Sequence, residues 1–298
     1  MLKIDNLTKT LENKKVISGI SFSLKPGQIV GLIGRNGVGK TTLFRLISGE
    51  YVPDQGRVTS DESADARSEI FYLDSPDNFT NAFTANQLAR IFKVSYPQLD
   101  IDWFKNLLKT NNLSLNKKLS GMSKGQRGLI LAISAITSKS KYIFLDEPLD
   151  GLDLIIRDHV KQMLITAVSN SKTSVMIASH NLEELDFLTD RIILLKNGKI
   201  EKDYLPGEEL KTANVAKLQM VIEGELPKVV LECGHILEKR GHLYVVLFKD
   251  YTGKVASRIK RTKAQYIEQL PVNSDDIFRA TFEEDYRLRQ SAGKRTNK

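Results

Sequence analysis

The sequence predicts an α/β fold with a mainly parallel core sheet, and three observations predict it. The apolar run Ile29–Ile33 leads into the glycine-rich stretch Gly34-Arg-Asn-Gly-Val-Gly-Lys-Thr41, after which apolar residues return at helical spacing in Leu43, Phe44, Leu46 and Ile47. Further apolar runs at residues 70–73, 142–145, 174–178 and 191–195 alternate with stretches of helical period. Two of these runs end in groups that carry chemistry, Asp146-Glu147 and Ser179-His180, as strands of such sheets do at their carboxyl ends.

In chain order, residues 2–4, 15–17 and 20–24 read as short strands, the last half-buried by its alternation, and Pro26-Gly27 as a turn. The helix after the glycine loop runs to about Ser48, with Gly49 as its stop. A turn at residues 53–56 precedes a strand at 57–59, and residues 60–69 are polar and loop-like. From Thr84 to about Lys117 the pattern is helical. Leu88, Ile91 and Phe92 share one face, Trp103, Leu107 and Leu108 another, and Pro97 divides the two helices. A turn from Leu119 feeds an apolar helix over residues 129–136. Helices are expected at about 154–170 and 183–188, and Asn197-Gly198 makes a turn. After Pro206 the character changes. Strands at 218–222, 229–231 and 242–248, with helices at about 262–269 and 275–282, make residues 207–298 a small α+β accessory region, its end disordered after about Gln290.

The length of 298 residues allows one large domain or two ordinary ones, and 41% apolar with 27% charged residues is a globular composition. No stretch approaches the roughly 18 consecutive apolar residues of a membrane helix. The opening Met-Leu-Lys-Ile-Asp alternates like a strand and not like a leader, so a cytoplasmic location is expected. The single cysteine, Cys233, fits a reducing compartment. The net charge of +8 would suit nucleic acid or an anionic membrane. Lysine and arginine are interleaved with acids, however, and concentrate only in Arg258-Ile-Lys-Arg-Thr-Lys263 and Lys294-Arg295. The bias therefore reads as a solvated surface, and no nucleic-acid partner is expected.

Strand, glycine loop and helix together make a phosphate-binding loop. Gly34, Gly37 and Gly39 let the backbone adopt conformations closed to other residues, so that consecutive N–H groups form a nest for phosphate oxygens at a helix N-terminus. Asn36 and Thr42 belong to the same phosphate-binding set. Lys40 reaches for the β- and γ-phosphates, while the Thr41 hydroxyl and Asp146 are placed to hold Mg²⁺. Glu147, one residue on, is the candidate to orient and deprotonate an attacking water. At the start of the apolar helix lies Met122-Ser-Lys-Gly-Gln126, where Ser123 and the N–H of Gly125 suit a γ-phosphate.

Over residues 1–205 the chain resembles the ATP-binding subunit of an ABC transporter. Residues 122–126 look like that family's signature, usually Leu-Ser-Gly-Gly-Gln, with Met122 and Lys124 as departures. The resemblance implies an ABC-type ATPase domain over 1–205, with an antiparallel β subdomain and a helical subdomain at about 75–138. It implies that His180 is the switch histidine contacting the γ-phosphate, and that Gly151-Leu152-Asp153 is the D-loop, whose Asp153 helps to couple two nucleotide sites. It also implies ATP and Mg²⁺ as cofactors and a head-to-tail dimer, of two identical chains or with a related ATPase. Each ATP would lie between the phosphate loop of one subunit and the signature of the other. The partner would be a separate integral membrane permease, with this chain peripheral on the inner face of the membrane. Two departures stand out. The aromatic that stacks on adenine is replaced by Leu11, and the Q-loop glutamine falls at Ser75, where Asp74 or Asp77 would have to take over its contact with the metal.

Tyr96-Pro-Gln-Leu-Asp100 and the Ser-Lys-Gly form of the signature are similar to those of a Gram-positive exporter subgroup acting on antimicrobial and amphipathic peptides. The length and the C-terminal region are similar to those of phenol-soluble-modulin exporter ATPases, which implies peptide export. The alternatives are an ABC transporter ATPase for another cargo and an ABC protein acting on DNA or ribosomes. The DNA-repair type needs coiled-coil arms and the translation type two such domains; this chain has neither sustained heptads nor a second phosphate loop. A small-molecule kinase would leave residues 122–126 and His180 idle.

Overall fold

A computed structural model of the chain describes residues 1–74, 79–182, 184–185, 187–206, 214–273, 276 and 278. The chain divides into two compact units, Met1–Leu205 and Pro206–Lys298.

The first unit opens with the hairpin of β1 (Leu2–Leu11) and β2 (Lys14–Leu24), followed by β3 (Ile29–Ile33) and α1 (Lys40–Ser48). β4 (Gln55–Ser60) returns to β1 and completes a three-stranded antiparallel sheet in the order β2-β1-β4. There follow β5 (Ile70–Leu73), α2 (Ala85–Ser95), α3 (Ile101–Thr110), α4 (Lys124–Thr137), β6 (Tyr142–Asp146), α5 (Leu154–Ser169), β7 (Ser174–Ser179), β8 (Arg191–Lys196) and β9 (Lys199–Tyr204). The second sheet has the order β5-β6-β7-β3-β8-β9 and is parallel except for β9, which pairs antiparallel with β8. Every residue of β3, β5, β6 and β7 is buried. A parallel sheet requires this, because both of its faces must be covered. The register sets Ile33 beside Ser179 and Asp146 beside Ala178, so the carboxyl ends of β3, β6 and β7 lie side by side.

α1 is seated on the sheet by Phe44, which meets Phe144 at 5.2 Å and Tyr72 at 6.2 Å, both edge to face. α2 begins at a capping box made by Thr84 and Gln87, and α3 is capped by Asp100. Trp103 on α3 is 38% exposed. It stands in the wall of a cavity of ≈ 720 Å³ together with Ile136, Ile143, Met163 and Ala167.

The expected strands at 15–17 and 20–24 are one strand, β2, carried through an irregular register at a positive-φ Gly19. No helix forms among the described residues of 183–188, which are turns; Phe187 has φ 61°.

The second unit runs β10 (Ala216–Val221), α6 (Lys228–Cys233), β11 (Gly234–Arg240), β12 (Leu243–Phe248), α7 (Gly253–Lys260) and β13 (Tyr266–Leu270). Its sheet has the order β11-β12-β10-β13 with every pair antiparallel, which is the split βαβ arrangement. Val229, Val230, Val255 and Ile259 from the two helices join Leu218, Met220, Tyr244, Val246 and Phe248 in one core. Two expectations are corrected in this unit. Residues 229–231 are helical and not a strand, because Pro227 starts a helical turn there and two consecutive valines bury while Leu231 is 64% exposed. Residues 262–269 hold no helix but most of β13; the helix lies earlier, at α7. The helix expected at 275–282 lies outside the described residues except for Asp276 and Phe278, and so does the chain end after Gln290.

Candidate active site

The glycine loop closes against its surroundings so tightly that two of its glycines have no room for a side chain. A Cβ on Gly34 would stand 2.8 Å from the Leu195 carbonyl oxygen. Gly39 has φ 113°, and a Cβ there would stand 2.9 Å from Ile17 Cδ1. Gly39 is also the N-cap of α1, whose first turn holds no acidic residue and receives no side-chain cap. The N–H groups of that turn have no acceptor within the helix and point where an anion would sit.

Lys40 is 6% exposed, donates to the Gly34 carbonyl at 2.7 Å and lies 3.2 Å from Glu147 Oε1. The Thr41 hydroxyl donates to Asp146 Oδ2. Asp146 is 3% exposed, and its Oδ1 has no hydrogen-bond partner. Burial pushes the Asp146 carboxyl up from its ordinary pKa; the Thr41 bond opposes this, and the charge of nearby Glu147 adds to it. A buried carboxylate oxygen without a partner, next to a threonine hydroxyl, fits a hard divalent cation that keeps most of its water, as Mg²⁺ does.

Glu147 leaves the end of β6 with φ 49°, its N–H bonded to the Ala178 carbonyl at 3.0 Å. Its carboxylate reaches the carboxyl end of β7. There Glu147 Oε2 is 2.9 Å from His180 Nδ1, and His180 is 41% exposed. Glu147 therefore bridges Lys40 and His180.

A cavity of ≈ 230 Å³ gathers these groups, lined by Asn36, Gly37, Gly39, Lys40, Thr41, Thr42, Asp146 and Glu147, with Val16 and Asp74. Asp74 follows the end of β5 and Asp146 is the last residue of β6, and the parallel register of Leu73 with Leu145 brings the two acids to the same end of the sheet. Arg45 Nη2 donates to Asp74 at 2.7 Å. Ser75 and Asp77 lie outside the described residues. Leu11 does not line this cavity; it ends the β1–β2 hairpin opposite Lys14. Val16 takes the wall position instead, and sequence reasoning missed it. The fully buried Ile17 beside it turns Val16 to the opposite face of β2, a placement that no sequence signal marks.

Ser123, Gly125 and Asp153 are not among the lining residues. Ser123 caps α4 in a reciprocal box with Gln126, and Asp153 caps α5 by accepting from the Ile156 N–H at 3.0 Å. A Cβ on Gly125 would stand 3.7 Å from Asp153 Oδ2, so these two lie together outside that cavity.

Residues 17–150 match the family described as ABC transporter. The uncharacterized ABC transporter ATP-binding protein MJ1023 of Methanocaldococcus jannaschii is 30% identical over 204 residues, spanning 66% of this chain and 75% of that protein. The chain belongs to the ABC transporter ATP-binding family. It is accordingly an ATPase coupled to transport. The ABC transporter ATP-binding protein YtrB of Bacillus subtilis is 28% identical over 288 residues, 95% of this chain and 98% of the relative, so the likeness to that ABC protein runs through both units. The fold is also that of the ATP-binding cassette MJ0796 in a dimeric post-hydrolysis state bound to ADP and phosphate. That structure aligns with a TM-score of 0.61 and 23% identity, over 69% of this chain and 98% of its own. Among the described residues no helix is long and apolar enough to cross a membrane.

Proposed function

We propose that this ABC ATPase works as a head-to-tail pair in which each ATP is held between the phosphate loop of one chain and the Ser123–Gly125 signature of the other. The observation that carries this reading is the separation of the two half-sites. Lys40, Thr41, Asp146 and Glu147 line one cavity, while Ser123 and Gly125 lie outside it. Within one chain the phosphate site has no cover from the signature. In the pair, the loop N–H groups and Lys40 would bind phosphate, Thr41 and Asp146 would hold Mg²⁺, and Asp74 stands beside them in place of the missing glutamine. Mg²⁺ when bound supplies charge neutralisation at the phosphates. Glu147 takes a proton from water, and His180 holds the Glu147 carboxylate in position. Asp153, at the cap of α5, passes the state of one site to the other. Closing and opening of the pair would drive a separate membrane subunit, with this chain at the inner face of the membrane.

Glu147→Gln is expected to move from monomer to dimer on addition of Mg-ATP, read by mass in solution. A Glu147→Gln protein that hydrolyses ATP at the wild-type rate would remove Glu147 as the base. One that binds ATP yet stays monomeric would point to an unlike partner ATPase.

For cargo, the reading is export of amphipathic or antimicrobial peptides. It is supported by the Ser-Lys-Gly signature and the 96–100 stretch. Reconstituted with its membrane subunit, the ATPase should be stimulated by amphipathic helical peptides. Equal stimulation by unrelated solutes would count against a peptide cargo.

A further inference from the structure

The signature departs from its usual form at Lys124, and the structure gives that lysine a partner inside its own chain. Lys124 Nζ donates to Asp150 Oδ2 at 2.9 Å, with the two side chains 33% and 48% exposed. Asp150 in turn donates its N–H to the Glu147 carbonyl at 3.2 Å. Glu147 then reaches Lys40 at 3.2 Å and His180 at 2.9 Å. A continuous chain of polar contacts thus leads from the signature to the phosphate loop.

The fit around this link is specific. Gly151 has φ 64°, a conformation that strains a residue with a side chain, and the end of the Lys124 side chain lies in the space that a Cβ there would take. Below it, α4 presses its glycines onto the same loop. A Cβ on Gly128 would stand 2.9 Å from Leu152 Cδ2, and one on Gly125 3.3 Å from Ile156 Cγ1. The first turn of α4 and residues 147–156 therefore move as one piece or strain against each other. A half-exposed ion pair adds little to stability and opens readily, as a switchable link must.

We propose that Lys124 and Asp150 form a strut through which the signature, on meeting the partner chain's nucleotide, sets the position of Glu147 in its own site. Both are positioning residues, acting through Glu147, and neither lines the phosphate cavity of its own chain. The inference rests on the two-chain reading above, because the signature has a nucleotide to sense only in the pair.

The test is a double-mutant cycle on the full chain, with ATP turnover measured across ATP concentration. Lys124→Ala and Asp150→Asn should each lower kcat several-fold and bring the Hill coefficient down toward one, with ATP binding to the single chain unchanged. The double variant should be no worse than either single one, and Lys124→Arg should behave as wild type. Additive losses, a loss in only one of the two variants, or undiminished cooperativity would overturn the strut. A ΔTm shared by both variants without a change in cooperativity would reduce the pair to a structural contact and overturn it equally. The two readings fail separately. A Glu147→Gln chain that stays monomeric with ATP removes the pair of chains. A Glu147→Gln chain that dimerises, in a protein whose turnover ignores Lys124 and Asp150, removes only the strut.

Discussion

Asp146 is a charge under burial with one oxygen left without a partner. Its folded-state pKa lies above the ordinary carboxylate value, so the nucleotide-free protein loses stability as pH rises from that ordinary value through the raised one. Asp146→Asn removes this cost. The variant should be more stable than wild type at neutral pH without nucleotide, by about 1 kcal/mol in urea unfolding, and should lose the stabilisation that Mg²⁺ adds to ATP. A loss of stability in the nucleotide-free variant would mean that Asp146 is a structural hydrogen-bond partner first. At this scale much of the site was legible. The glycine spacing, Lys40-Thr41 and the acids after an apolar strand are local patterns, and local patterns survive in sequence. Val16 was not legible, because its place in the cavity wall depends on how β2 passes over Gly39. The Lys124–Asp150 link spans 26 residues and needed the packing of α4 on the loop before it could be seen.

Among elements, α1 carries the loop, and Phe44 fixes α1. Phe44→Ala should cost about 4 kcal/mol of stability, since it empties a fully buried site between Phe144 and Tyr72. Nucleotide affinity should fall with it, because the N-terminus of α1 would no longer be pinned beneath the loop. Calorimetric unfolding and titration with Mg-ATP would read the two effects, and unchanged affinity would mean that the loop is held by Gly34 and Gly39 alone. The parallel strands were readable as unbroken apolar runs because they are covered on both faces. The second unit was harder. Val229-Val-Leu231 has the composition of a strand, but Pro227 ahead of it and the burial of two adjacent valines make it a helical turn. α7 was missed because it buries only Val255 and Ile259, one turn apart, which is too short a pattern to register as periodic.

For the molecule as a whole, every residue of the phosphate cavity comes from the first unit, which also has its own core. A chain ending at residue 205 should therefore bind Mg-ATP with the affinity of the full protein. The same comparison of dimer mass in the Glu147→Gln background would show what residues 206–298 add. Lost dimerisation would assign them a role in pairing, and unchanged mass and turnover would leave them to regulation or to the membrane partner.

The chain has one tryptophan, and it is Trp103, half open in the wall shared by α3, α4 and α5. Excited at the red edge, where its nine tyrosines are silent, the protein emits from a single ring. The emission colour of that ring reports how wet the gap between the helical layer and the sheet is. The protein thus carries its own optical gauge on the helices that lie across the sheet from α1. A shift of that emission when nucleotide is added would register movement of this layer without any label.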